Sequence, residues 1–213
     1  MRFPLAVIPA GGKGTRMGPG PSKGLRLVNG EPLIRHVVRF WIKLAERVRI
    51  IVPFENLDDY CEALSDSLLA DEKERWACAP EREQQGVCHA ILHGLSLDGA
   101  PPGFVVALGD CLFDGEFRWP VERPLAPFTG LGVMQSADSD FARSYAVGDC
   151  ALIEKPLLGL GAYFLRWSDI RILERHMGIT GVMAELDRIS EVRRIFFLGK
   201  YRNCTYQEDL ERW

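Results

Sequence analysis

The stretch from Leu5 to Lys23, LAVIPAGGKGTRMGPGPSK, decides the fold class. Leu5 to Pro9 is a short continuous apolar run ending at glycines, the pattern of a strand buried on both faces of a parallel sheet. Beyond it, Ala10, Gly11, Gly12, Lys13, Gly14, Thr15 and Arg16, then Gly18, Gly20, Ser22 and Lys23, belong to a glycine-rich loop. In an open α/β sheet ligands bind outside the carboxyl ends of the strands, and the first such turn is the usual phosphate site. Glycines let backbone N–H groups approach an anion and line a concavity for it. Arg16 adds a planar fork of donors, and Lys23 adds a point charge. The loop is not a Walker A, since no Gly-Lys-Ser/Thr follows at the right offset. It also fails the dinucleotide pattern, because Met17 stands where the last glycine should be. On composition alone, a plain glycine-rich turn with solvated basic residues remains open.

Working outward, apolar runs alternate with amphipathic stretches. Residues 32–46 carry Leu33, Val37, Phe40, Trp41 and Leu44 at helical spacing, with Pro32 suited to the first turn. Strands are expected at 49–52, 76–79 and 103–108, and helices at 56–69 and 84–97. This alternation implies right-handed crossovers and a mostly parallel sheet with helices on both faces. After Asp110 the rhythm changes. Glycine- and proline-rich turns separate expected strands at 129–135, 144–147, 150–154 and 160–165, followed by a helical stretch over 168–189 and a last strand and helix over 193–213. The reading is an α/β fold, a single-domain three-layer α/β/α arrangement with a mostly parallel mixed sheet and an antiparallel addition in the second half. Residues 1–110 form one half and 111–213 the other, with no linker between them.

Composition bounds the function. With 26 Lys and Arg against 29 Asp and Glu, the net charge of -3 excludes global attraction to nucleic acid, so any bound anion needs a local cluster. No run approaches the roughly 18 apolar residues of a membrane span, and the N-terminus reaches glycines too soon for a signal peptide. The six cysteines are scattered without a C-x-x-C pair and read as reduced thiols of a cytoplasmic protein. His89 and His93 stand four apart on an expected helix, but no glutamate follows His89 and no third ligand is evident. Asp138-Ser139-Asp140 imitates a D-x-D motif, yet lies in an expected loop and reads as a solvated turn.

The N-terminal segment AVIPAGGKGTRMG, followed by PSKGLRLVNGEPLIRHV, resembles the signature of the sugar-1-phosphate nucleotidylyltransferases. It is also similar to the start of the cytidylyltransferases of isoprenoid synthesis, a branch of the same superfamily. Leu108-Gly109-Asp110-Cys111-Leu112-Phe113 resembles the family's L-G-D-N-x-F. Ile153-Glu154-Lys155-Pro156 resembles V-E-K-P, and Gly161-Ala162-Tyr163-Phe164 resembles G-x-Y-F. The last two motifs favour the sugar branch. Tyr201 to Leu210 is similar to the closing strand-to-helix motif, although Thr205 and Glu208 could also form a simple capping box.

The resemblance implies a Rossmann-like nucleotidyltransferase fold and a Mg²⁺-dependent transfer between a nucleoside triphosphate and a phosphorylated small-molecule acceptor, with release of pyrophosphate. It implies catalytic roles for Arg16, Lys23, Asp110 and Lys155, and magnesium ligation by Asp110 and Asn203. Ala10, Gly11, Gly12, Gly14, Thr15, Glu81, Gly86 and Gly109 would bind the nucleotide; Ala146, Glu154, Lys155 and Gly161 would meet the acceptor. Glu81 occupies the place of the family glutamine, and Val87 replaces its threonine. An ionised glutamate only accepts hydrogen bonds, which suits guanine or cytosine better than uracil or thymine. Guanine is preferred here, since guanylyltransferases of the family tend to carry glutamate. Ala146 and the short link from Pro156 to Gly161 depart from the pattern and remodel the acceptor pocket, so a cyclitol phosphate, phosphocholine or phosphonate is open as acceptor. The rivals are a non-catalytic nucleotide-sugar-binding subunit and a metal-dependent glycosyltransferase. No nucleic-acid or membrane partner is expected, and a homo-oligomer is allowed.

Overall fold

The computed structural model describes residues 2–12, 14–65, 70–118, 128–135, 157–189, 192–211 and 213. The elements in chain order are β1 (Phe3–Pro9), β2 (Leu27–Val28), β3 (Glu31–Pro32), α1 (Leu33–Trp41), β4 (Ala45–Pro53), α2 (Leu57–Leu64), β5 (Trp76–Glu81), α3 (Val87–Asp98), β6 (Gly103–Ala107), β7 (Cys111–Arg118), β8 (Gly130–Gln135), β9 (Leu157–Arg166), α4 (Ile170–Leu173), α5 (Ile179–Ile189), β10 (Arg193–Asn203) and α6 (Gln207–Glu211).

Eight strands form one sheet in the order β5-β4-β1-β6-β9-β8-β10-β7. Neighbours β5, β4, β1 and β6 run parallel, as do β8 and β10; β9 and β7 are antiparallel to the strands beside them. The sheet is therefore mixed and mostly parallel, with the antiparallel pairs contributed by the second half.

Side-chain alternation along β1 makes the layers. Leu5 and Val7 enter the core packed by Ile91 of α3, Leu173 of α4 and Val182 of α5, whereas Ala6 and Ile8 enter the one packed by Val37 and Trp41 of α1 and Tyr60 of α2. Burial of a large apolar side chain contributes about 1.5–3 kcal/mol, so Leu5 and Ile8 help fix β1 between the two layers.

Several boundaries differ from the sequence reading. The helical spacing over 32–46 ends at Trp41, because Ala45 already pairs with Phe3 as β4. The helix expected from Gln84 starts at Val87, after Gly86 turns the chain at φ 105. The helical stretch 168–189 is two helices separated by turns through Met177 and Gly178. The largest miss is β7. The sequence reading places no strand between Asp110 and residue 129, where Asp114-Gly115 carries a turn-type pair; the strand continues through it, since Gly115 lies opposite Gly199 of β10 and both adopt positive φ. A Cβ on either glycine would strike the facing backbone carbonyl. Phe113, in the same strand, stacks on Phe40 of α1 at 5.1 Å. The expected strands 144–147 and 150–154 lie outside the described residues.

The short β2–β3 hairpin turns at Asn29 and Gly30, both at positive φ, and leads Glu31 onto α1. Arg39 grips both carboxylate oxygens of Glu31 at 2.8 and 3.0 Å. This fork, helped by the charges of His36 and Arg35, holds the Glu31 carboxyl down at about 2. A depressed folded pKa stabilises the fold above the unfolded value near 4.5 and loses that contribution as pH falls toward 2. Thermal melts should therefore show a Glu31→Gln protein less stable than wild type by about 1 kcal/mol at pH 7, the pair being partly exposed. The gap should close by pH 2; a pH-independent difference would show that the charge is immaterial.

Candidate active site

β1 and β6 are parallel neighbours, but the chain leaves β1 toward β4 and leaves β6 toward the other end of the sheet. Their carboxyl ends thus frame a crevice at the point where strand order reverses. The Gly109 N–H donates to Pro9 O at 3.2 Å, joining the two loops. Gly109 has no room for a side chain, since its Cβ would lie 2.9 Å from that carbonyl.

The glycine-rich loop leaves β1, forms a tight turn at Thr15–Met17 with Gly14 and Gly18 at positive φ on either side, and returns through Lys23–Leu25. Two buried side chains that sequence reasoning missed hold it. Tyr60 OH donates to Ala10 O at 3.1 Å and meets Ser22 Oγ at 2.9 Å. Arg26 donates to Met17 O and Gly18 O at 2.8 and 2.7 Å, and to Gln207 Oε1 at 2.8 Å. No local signal marks either residue: Tyr60 passes for one apolar position of a helix, and Arg26 for a surface charge.

The loop, the turn after β6 and the start of α3 enclose a cleft of about 340 Å³. It brings together Ala10, Gly11, Gly12, Lys23, Glu81, Gly86, Gly109 and Asp110 of the expected site. Lys23 Nζ contacts Asp110 Oδ2 at 2.6 Å, with both side chains partly exposed. The Asp110 carbonyl accepts from Cys204 N at 2.8 Å, which ties the turn to the end of β10. Gly14 and Thr15 lie on the outer limb of the loop, outside the cleft lining, and Arg16 there is exposed. Asn203 pairs across the sheet with Cys111, next to Asp110, and its Oδ1 accepts from Thr205 Oγ1 at 3.3 Å. The cap of α6 differs from the expected box: Asp209 Oδ2, not Glu208, accepts from Thr205 N and Tyr206 N at 2.8 and 2.7 Å. Gly161 sits in β9, where its carbonyl accepts from Leu108 N at 2.8 Å. Ala146, Glu154 and Lys155 lie outside the described residues.

Glu81, at the end of β5, is buried, and its Oε1 meets His89 Nδ1 at 2.8 Å. Its Oε2 borders Gly11, 3.6 Å from the place a Cβ would take, so the second oxygen lines the cleft as an acceptor. His93 Nε2 is engaged by Pro80 O at 3.1 Å, so each of the two histidines is held by a residue of β5. The described cysteines are free thiols; burial pushes Cys88 up to about 11 and Cys204 up to about 12, the latter with Asp110 and Asp209 adding.

Among the described residues no three His, Cys, Asp or Glu side chains converge on one point. Magnesium keeps water and phosphate for most of its ligands and takes one or two protein carboxylates. Asp110 supplies one on a turn anchored at both sides. Its Oδ2 already holds a cation in the Lys23 ammonium, and its Oδ1 meets only the weak Cys111 thiol donor at 3.5 Å.

Sequence comparison finds 36% identity over 107 residues with a 2-C-methyl-D-erythritol 4-phosphate cytidylyltransferase of Streptomyces avermitilis, and 32% over 107 residues with that of Streptomyces coelicolor. The match covers 48% of this chain and 40% and 37% of those proteins, so it spans about two fifths of their length. The fold is shared with the inositol-1-phosphate CTP transferase from T. maritima (TM-score 0.75, 14% identity, 100% of this chain and 93% of that one). It is shared too with a putative glucose-1-phosphate thymidylyltransferase from Bacillus anthracis (0.74, 18%, 97% and 92%) and a UTP-bound UGPase from Acinetobacter baumannii (0.71, 17%, 98% and 90%). Residues 6–117, more than half of the chain and all of the cleft's glycine loop and Asp110 turn, match one family, and the chain belongs to it: the MobA-like NTP transferase domain family.

Proposed function

We propose that the cleft binds a nucleoside triphosphate and that the protein couples its nucleotidyl group to a phosphorylated small molecule. An acceptor phosphate oxygen attacks the α-phosphorus, the bond to the β-phosphate oxygen breaks, and pyrophosphate leaves with the electron pair. The observation that carries this reading is the Lys23–Asp110 contact at 2.6 Å beside the glycine cradle. It supports the reading because a cation stands there beside a carboxylate able to take magnesium, next to the cradle proposed for the triphosphate.

Such transfers depend on alignment and charge neutralisation, with little proton exchange asked of the protein. Lys23 would hold the triphosphate and then the departing pyrophosphate, assisted by Arg16 from the outer limb. Gly11, Gly12 and Gly109 leave the backbone open to phosphate oxygens, while Gly14 and Thr15 shape the loop. Asp110 and Asn203 would hold Mg²⁺, which when bound neutralises charge along the phosphates. Glu154 and Lys155 would take the acceptor's hydroxyls and phosphate, with Ala146 and Gly161 bounding that pocket.

Glu81 Oε2 offers an acceptor to an exocyclic amine, a property shared by cytosine and guanine. The family resemblance favours guanine; the CTP enzymes among the sequence relatives and the fold neighbours shift the choice to CTP. The acceptors those enzymes are named for are a tetritol phosphate and a cyclitol phosphate, so a polyol or sugar phosphate is the acceptor class proposed here. A cytoplasmic setting agrees with the free thiols, and the net charge of -3 argues against nucleic acid as substrate. The non-catalytic rival lacks support, because Arg16, Lys23 and Asp110 are all present.

The test is pyrophosphate release with Mg²⁺ across the five common triphosphates and a panel of sugar and polyol phosphates. CTP should give the highest kcat/KM, and Glu81→Gln should lower the preference for CTP over UTP by about tenfold. Release from no pair would end the transferase reading, and a preference for GTP would restore the guanine assignment.

A further inference from the structure

The nucleotide-binding reading leaves one question at the site: what fixes Lys23. Its side chain reaches the cleft from a loop rich in glycine and proline, whose backbone has much freedom to lose. The answer lies on α2, in a side chain that is itself no part of the cleft.

Tyr60 is fully buried. Its hydroxyl has one proton to donate and two lone pairs to offer. The Ala10 carbonyl can only accept, so the Tyr60 proton goes there, at 3.1 Å. The Ser22 hydroxyl, 2.9 Å away, must then donate to the phenol oxygen. The phenol oxygen thus joins two points of the loop, Ser22 just before Lys23 and Ala10 just after β1. Gly24, on the other side of Lys23, packs against the same phenol. The sequence at 24 fits this arrangement. A Cβ there would lie 2.6 Å from Tyr60 Oη, so the hydroxyl and any larger residue exclude each other.

We propose that Tyr60 is a positioning residue for Lys23: it ties Ser22 to the end of β1 and packs against Gly24, and so sets the place of the ammonium group against the triphosphate. The proposal rests on the nucleotide-binding reading. Tyr60 touches no substrate and acts only through Lys23.

The test is a double-mutant cycle with Tyr60→Phe and Lys23→Ala, read in the Kd for CTP with Mg²⁺ by isothermal titration at a temperature where melts show each protein folded. Tyr60→Phe keeps the ring and should weaken CTP about tenfold, while Tyr60→Phe with Lys23→Ala should bind no worse than Lys23→Ala alone. A merely structural role would lower the melting temperature and leave Kd within about twofold of wild type, or would make the two losses multiply; either result overturns the proposal. Should Tyr60→Phe fail to fold, Ser22→Ala decides by the same cycle, since it removes one of the two bonds and leaves the buried ring alone. A wild-type protein that shows the cycle in CTP binding but releases pyrophosphate with no acceptor ends the transferase reading and keeps the positioning role. One that binds no triphosphate ends both.

Discussion

Asp110→Ala is expected to lower pyrophosphate release by about 10²- to 10³-fold, the scale of losing one preorganised electrostatic contact to a transition state. The fold should survive. The Asp110 side chain is 29% exposed and its partner Lys23 15%, so their ion pair is worth about 1 kcal/mol or less. The turn is held by backbone bonds that alanine keeps, from Gly109 N to Pro9 O and from Cys204 N to Asp110 O. Lys23→Ala should give a loss of the same order for a different reason, the missing charge at the phosphates. Steady-state kinetics beside thermal melts separate the cases. Full activity in a folded Asp110→Ala protein would remove the central residue of the proposed site, and an unfolded one would show the pair to be structural.

Gly161→Ala is expected to be the most damaging of the small changes near the site. Its new Cβ would collide with Cys111 Sγ and lie 3.1 Å from Leu108 Cβ, where the strand carbonyl also accepts from Leu108 N. Cys111 is fully buried, so the methyl group has no open direction to push it. Overpacking of this kind costs about 1–3 kcal/mol, or roughly 3–10 °C in melting temperature for a chain of this size. Removing the obstructing sulfur should restore part of it, so that Gly161→Ala with Cys111→Ala melts above Gly161→Ala. If instead Gly161→Ala melts like wild type and raises only the acceptor KM, then Gly161 is an acceptor contact and its packing role is secondary.

The legible part of this fold is the part written locally. The run Leu5 to Pro9, the helical spacing of α1 and the glycines after β1 each carry their own signal, and together they dictate parallel strands with helices on both sides. β7 is different. Asp114-Gly115-Glu116 contains a turn signal, and only the matching Gly199, far along the chain in β10, converts it to a strand. The helix over 168–189 was overextended for a related reason, since Gly178 interrupts a spacing that stays apolar on both sides. In the cleft, Lys23, Glu81, Gly86, Gly109 and Asp110 are legible by residue type and motif, because the chemistry proposed for them restricts what can stand there. Tyr60 and Arg26 are not. Their work consists of hydrogen bonds to backbone carbonyls and hydroxyls far along the chain, and no spacing rule encodes a partner of that kind. The two branches between which the glycine loop could not choose reappear among the relatives, with cytidylyltransferases matched by sequence and sugar-phosphate enzymes matched by fold.

Arg26 gives the order of events during synthesis a consequence. Its guanidinium holds Met17 and Gly18 with one hand and Gln207 with the other, across a separation of 181 residues. A ribosome adds about 5–20 residues each second, so the glycine loop exists for roughly ten to forty seconds before Gln207 can join it. Through that interval Arg26 can reach Met17 and Gly18 but not Gln207, and the tie between the loop and α6 is made only once that helix has been added.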